Sequence, residues 1–338
     1  MCGTYSNITD KFNQRFDIHW QNITEILETK HPQLTYGSRL RPQICLWGFL
    51  IAQHFPSDSD IDKISNAAVS IELLHKATII IDDWIDNDNE RHGFNAYHYD
   101  NSPEEATILS LNMISLAMKR LESCVNDEII MPEHYTLCLN ILIKTIYFMS
   151  KGALEELRLK DNLIFDKSKI SEIMQYETSE IIGNSLLMGY YVGLEHHKPS
   201  ERISSELKVI GDNFGHVFQT FNDLEAFVCP ERLKKHKGTV NMDFFLNRKN
   251  IVVASLYEVA NSKDRNILKN CNSSQLQDLL TKYKITEFIY TQTNMLYDNL
   301  IERVKQMSNI KVSQDWICGF IDFFSKAKEY AESRLDCH

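Results

Sequence analysis

At 338 residues and 43% hydrophobic content, the chain can bury a substantial core as one large domain or two. A formal charge of −10 argues against a nucleic-acid partner, which needs a basic face, and suggests no attraction to an anionic membrane surface. Glycine (12) and proline (7) are too scarce for the turns of an all-β or doubly wound fold, so one predominantly helical domain over 1–338 is expected.

Residues 1–20 are polar, so no signal peptide is expected, and the apolar stretch Ile44–Ala52 is too short to span a bilayer, so no transmembrane segment is expected. The eight cysteines are scattered singly without a CxxC, which supports neither a zinc site nor a disulfide framework. A reducing, cytoplasmic setting fits that usage. Gly37-Ser38-Arg39-Leu40-Arg41-Pro42 reads as a basic turn before a helix. In Ile64–Ile81 the apolar residues Ile64, Ala67, Ala68, Ile71, Leu74 and Ile81 recur at three and four, the helical spacing. Asn140–Leu157 and Ile285–Val304 read similarly, and Asn261–Ser274 reads as a helix–helix connection.

The most informative segment is Asp82-Asp83-Trp84-Ile85-Asp86, which closes that apolar run. On a helix Asp82 and Asp86 share a face with Cβ atoms about 5–6 Å apart. Two unit charges that close repel by roughly 3 kcal/mol at an effective dielectric near 20. Alone, such a run reads as a solvated helix end. A cation between the carboxylates would relieve the repulsion. Hard oxygen donors point to Mg2+, which takes one or two carboxylates plus substrate phosphate oxygens. Further polar clusters lie at Glu72–His75, at Glu90-Arg91-His92-Gly93 through His98 (a loop by its composition), at Gly215–Glu225, and at Asp243 with Arg248-Lys249.

Taken in order, these segments resemble the trans-isoprenyl diphosphate synthases (polyprenyl synthetase family) from about residue 35 to 255. The resemblance implies an all-α fold, an antiparallel helical bundle around a deep central cavity, commonly dimeric. Two aspartate-rich motifs would hold magnesium across its mouth, and the diphosphate of an allylic substrate would be gripped until the C–O bond ionises. That is electrostatic catalysis, with an apolar pocket shielding the carbocation from water.

Residue by residue, Asp82, Asp83 and Asp86 match the first motif without loss as metal ligands. Arg91 matches the first arginine of the family's Arg-Arg-Gly, and Gln219 the glutamine before the second motif. Arg248, with Lys249 adjacent, falls where the family has a diphosphate-contacting lysine. The second motif, Asp-Asp-x-x-Asp in the family, reads Asn222-Asp223-Leu224-Glu225-Ala226, so Asn222, Asp223 and Glu225 are expected to form a weakened metal site. The family's Lys-Thr pair reads Glu177-Thr178: either Glu177 contacts a metal or one diphosphate contact is gone.

The acceptor site departs most. Where chain-elongating members hold isopentenyl diphosphate, the residues here are Ser38, Arg41, His75 and His92. Two permanent cations have become a hydroxyl and a weak base, and His92 recovers part only if protonated beside a diphosphate. At about 1.5–3 kcal/mol per charge-assisted contact, the loss weakens acceptor binding by some three orders of magnitude. Small residues Ala77 and Thr78, one turn before Asp82, allow a pocket deeper than a ten-carbon chain.

The expected function is therefore a magnesium-dependent prenyltransferase that ionises an allylic prenyl diphosphate and passes the cation to isopentenyl diphosphate or another acceptor. The stretch Tyr283–Val304 and the degraded second motif are also loosely similar to bacterial tryptophan prenyltransferases that modify peptide pheromones. A class I terpene synthase working on farnesyl or geranylgeranyl diphosphate is the alternative, although Ala226 and Pro230 stand where its serine and glutamate would be. A non-catalytic regulatory subunit is disfavoured by the intact first motif and Arg91.

Overall fold

The computed structural model describes residues 2–159, 166–229 and 250–335, and it is helical almost throughout. The chain opens with α1 (Cys2–Ile26), a single turn α2 (Pro32–Thr35), α3 (Leu40–Ala52) and the long α4 (Asp58–Asp86). Ser57 starts α4 through a capping box with Asp60, and Asn87, at φ +57°, stops it directly after the aspartate run. The segment read as a loop is structured. Glu90–Arg91 pairs with Phe94–Asn95 around His92 and Gly93, both at positive φ, followed by the turn α5 (Tyr97–Asp100).

Next come α6 (Pro103–Asn126), α7 (Pro132–Leu159), α8 (Lys167–Met174), a π-helical turn (Gln175–Ser179), α9 (Glu180–Gly193) and α10 (Glu201–Val228). After residue 250 follow α11 (Ile251–Val259), α12 (Ser262–Leu268), α13 (Ser273–Tyr283), α14 (Ile285–Gln306) and α15 (Gln314–Ser333). The expected connection Asn261–Ser274 thus contains a short helix, capped by the Asn261 side chain on the Asp264 amide.

The centre is built on α3, α4, α9 and α10. α9 packs on α3, α7 and α10, while α4 lies against α1, α3 and α6. The α3–α9 crossing is backbone to backbone. A Cβ on Gly48 would fall 1.9 Å from the Leu186 carbonyl oxygen, and one on Gly189 1.7 Å from that of Cys45. α15 closes the bundle through aromatics: Phe324 stacks on Phe214 of α10 with centroids 4.1 Å apart, and Trp316 donates its indole N–H to the Trp47 carbonyl at 2.9 Å.

Among the described residues, two helices are long and apolar enough to cross a membrane by length and composition alone. In α4 that stretch is 78% buried inside the protein, which makes it a core helix; in α7 it is 28% buried.

Candidate active site

The three aspartates of the first motif do not share one environment. Asp82 is exposed and Asp86 half-buried, on the face of α4 that the four-residue spacing dictates. Asp83, a third of a turn round, is fully buried. Both its oxygens lie 2.9 Å from Arg91 Nε, and it also accepts from Arg91 Nη2 and Gln33 Nε2. Gln33 in turn accepts from the Tyr97 amide at 2.7 Å. Asp83, expected as a metal ligand, is engaged by protein groups on both oxygens. It faces inward because helical geometry turns it from its neighbours, and it holds a guanidinium instead. Burial opposes the charge of Arg91, but Asp83, Asp82 and Asp88 outweigh that and keep it firmly protonated. The turn at His92-Gly93 brings Arg91 back over α4 and leaves His92 exposed at its tip.

Facing these acids is the π-helical turn, where Glu177 stands in place of the family's lysine. Burial, then Glu156, Asp82, Asp86 and Asp223, push its carboxyl well above the ordinary range. Its stem fits because α7 has a glycine there: a Cβ on Gly152 would lie 2.6 Å from Glu177 Cγ. Carboxylates from α4, α7, the π-turn and α10 therefore converge on one volume. Among the described residues no three of them form a ready-made metal cage.

The second motif is engaged within the protein. Thr178 donates to Gln219 Oε1 at 3.1 Å, and Gln219 Nε2 to Asp223 Oδ1 at 2.8 Å. Asp223 Oδ2 accepts the Ile251 amide at 3.1 Å, at the start of α11. Asn222 Oδ1 accepts from Arg334 Nη2, and Glu225 Oε2 lies 3.5 Å from Arg334 Nη1. Arg334 sits just past α15, 112 residues from Asn222, and no sequence pattern pointed to it.

A separate group of cations lies between α2, α3 and α4. Arg39 pairs with Glu72 at 3.0 Å, while Arg41 is half-buried, its enclosed Nε without a hydrogen-bond partner among the described residues. Burial, opposed by Glu72 and aided by Arg91, pulls Arg41 down to about 10. His75 is held well below its usual pKa by burial and by Arg41, Lys76, Arg91 and Arg39, so it stays neutral. Sequence reasoning missed Lys76. It is 4% exposed, and its ammonium donates to the Gln33 carbonyl at 2.9 Å and to that of Tyr36, beside Gly37 and Ser38. The available signal was a lysine amid the apolar run of α4, where every face is covered. Ala77 is buried and Thr78 half-buried, its hydroxyl donating to the His75 carbonyl at 2.9 Å. Arg248 and Lys249, with Asp243, lie outside the described residues.

An all-α bundle with facing carboxylates and a cation cluster at one end matches the polyprenyl synthetase family, whose model fits residues 24–289. The chain belongs to that family, a class of prenyltransferases. Among relatives, it is 25% identical to a geranylgeranyl diphosphate synthase of Methanosarcina mazei, over 70% of this chain and 71% of that protein. It is 23% identical to heptaprenyl diphosphate synthase component 2 of Bacillus subtilis, over 82% and 77%. Among solved structures, geranylgeranyl pyrophosphate synthetase of Pyrococcus horikoshii superposes with TM-score 0.79 at 19% identity, covering 96% of this chain and 99% of the other. A Corynebacterium glutamicum geranylgeranyl pyrophosphate synthase complexed with isoprenyl diphosphate and magnesium gives 0.72 at 15% identity, covering 98% of both. These likenesses establish the isoprenoid-synthase fold.

Proposed function

We propose that this protein, as one isoprenoid-synthase domain, ionises an allylic prenyl diphosphate with Mg2+ and joins the prenyl cation to isopentenyl diphosphate. The observation that carries the reading is the pairing of Asp82 and Asp86 on one face of α4 with Arg91 fixed beside them by the buried Asp83. Asp82 and Asp86, with Glu177 opposite, are the residues that would hold Mg2+, which when bound neutralises charge developing on the leaving diphosphate. Arg91 adds a permanent charge preorganised by Asp83, so no reorganisation is needed as the C–O bond breaks. Thr178 and Gln219, joined by a hydrogen bond, are the further residues that would contact the allylic diphosphate.

The acceptor is the second half of the reading. Ser38 and His92 weaken the pattern, but Arg41, with an N–H lacking a partner, and Lys76 supply cationic donors around neutral His75. A buried group with more cations than carboxylates is suited to a diphosphate. Exposed apolar residues on α6 and α7 support a homodimer: Ile108 is 65% exposed and Tyr147 61%.

The test incubates purified protein and Mg2+ with geranyl, farnesyl or geranylgeranyl diphosphate, with and without isopentenyl diphosphate. Longer diphosphates are expected only when both substrates are present, and Asp86→Ala should reduce turnover at least a thousandfold (roughly 4 kcal/mol of transition-state stabilisation). Hydrocarbon or alcohol from the allylic substrate alone would sink chain elongation in favour of a cyclase. Near-normal turnover by Asp86→Ala would remove the metal assignment.

A further inference from the structure

The polar side chains of the second motif meet partners within the protein. Asp223 spends one oxygen on Gln219 and the other on the first amide of α11. Asn222 and Glu225 both turn to Arg334. We propose that the guanidinium of Arg334 occupies the place a divalent cation would take on this motif, so that the protein carries a resident, covalently tethered cation there and recruits metal only at the first motif.

Charge and donor chemistry agree with this assignment. Asn222 carries no charge and Ala226 adds none where the family has an acid, so Glu225 is the motif's charged group that pairs with Arg334. One guanidinium matches that charge. Both facing atoms are acceptors, an amide oxygen and a carboxylate oxygen, and a guanidinium offers only donors. The group is also held from its faces. Its carbon lies 5.6 Å from the Phe218 ring centroid and 5.7 Å from that of Tyr330, one turn before it on α15. Arg334 is only 18% exposed and Glu225 6%. The contact is not needed to dock the terminal helix, because Trp316, Phe320 and Phe324 already pack α15 onto Trp47 and Phe214.

The inference rests on the proposed metal chemistry only for the identity of the first motif, and the two can be told apart. Mn2+ bound by the full-length protein in the presence of inorganic pyrophosphate is counted from the electron paramagnetic resonance of the free ion. Asn222→Asp restores the missing acid while Arg334 remains, and is expected to bind no more Mn2+ than wild type. Its metal-free Tm should rise, because the added charge strengthens the pair with Arg334. Combining Asn222→Asp with Arg334→Gln opens the site and is expected to bind about one further Mn2+, with a metal-free Tm below that of Arg334→Gln alone because the acids then repel. Asp82→Asn in each background reports the first motif separately. An extra Mn2+ in Asn222→Asp alone, an unchanged Tm for that variant, or no gain in the double variant would each overturn the proposal. Should the double variant fail to fold, the Mn2+ count and Tm of Asn222→Asp alone still decide it.

Discussion

Lys76 carries a charge in a place that resists it. Burial, with Arg39, Arg91 and Arg41 nearby and only Glu72 in its favour, lowers its pKa from 10.5 to about 8. Between those values the unfolded chain binds a proton that the folded one lacks. Stability therefore rises with pH across that window, and below about 8 the whole cost is present. A shift of that size corresponds to about 3 kcal/mol. Lys76→Met should accordingly gain up to about 3 kcal/mol of metal-free stability at pH 7 and lose the rise above pH 8. It should also raise KM for isopentenyl diphosphate tenfold or more. Urea denaturation at a series of pH values, with steady-state kinetics, checks both. A variant destabilised equally at every pH would mean that the bonds to Gln33 and Tyr36 are all that Lys76 provides. This residue also marks where sequence reading stopped. Asp82, Asp86 and Arg91 were legible from a short local pattern. Lys76 was passed over because periodicity marks which residues face inward without saying that a charged one among them has been placed there.

Single elements were legible wherever the apolar period was long. The run Ile64–Ile81 lies inside α4, and Asn140–Leu157 and Ile285–Val304 lie inside α7 and α14. Short pieces were not: α5 and α12 depend on a cap or a tertiary contact, and the hairpin at Glu90–Asn95 on two positive-φ residues. How α3 and α9 touch was equally hidden, since Gly48, Gly189 and Gly193 resemble any helical glycine until the partner helix is in place. Substituting Gly189→Val should force the two backbones apart at the centre of the bundle. The expected loss is about 3 kcal/mol or more, with a lower Tm in calorimetry, although an isolated helix loses nothing by replacing glycine. An unchanged Tm would mean that α3 and α9 do not approach as described. That crossing carries the π-turn and Glu177, so turnover should fall along with stability.

On the scale of the whole molecule, α6 and α7 each expose large apolar side chains, with Ile108, Leu111, Ile143, Tyr147 and Leu154 between 47% and 65% exposed. Only 28% of the apolar stretch of α7 is buried within one chain, against 78% for α4. A second copy covering this face would account for both values. Ile143→Glu should then shift the protein from dimer to monomer in light scattering and lower its thermal stability, since an acid at a buried interface has no partner. A wild-type protein that runs as a monomer at micromolar concentration would contradict this arrangement.

What the sequence determined by itself was the helical class, the family and the first motif. Each is written in neighbouring residues, within a few turns of one helix or in motifs that keep their order along the chain. Tertiary structure alone decided which partner each acid meets. Asp83 turns to Arg91 and Gln33, Glu177 swings among the opposing carboxylates, and Arg334 reaches the second motif from 112 residues away. Charges act through space, and the spacing between these groups exists only once α4, α7, α10 and α15 have packed.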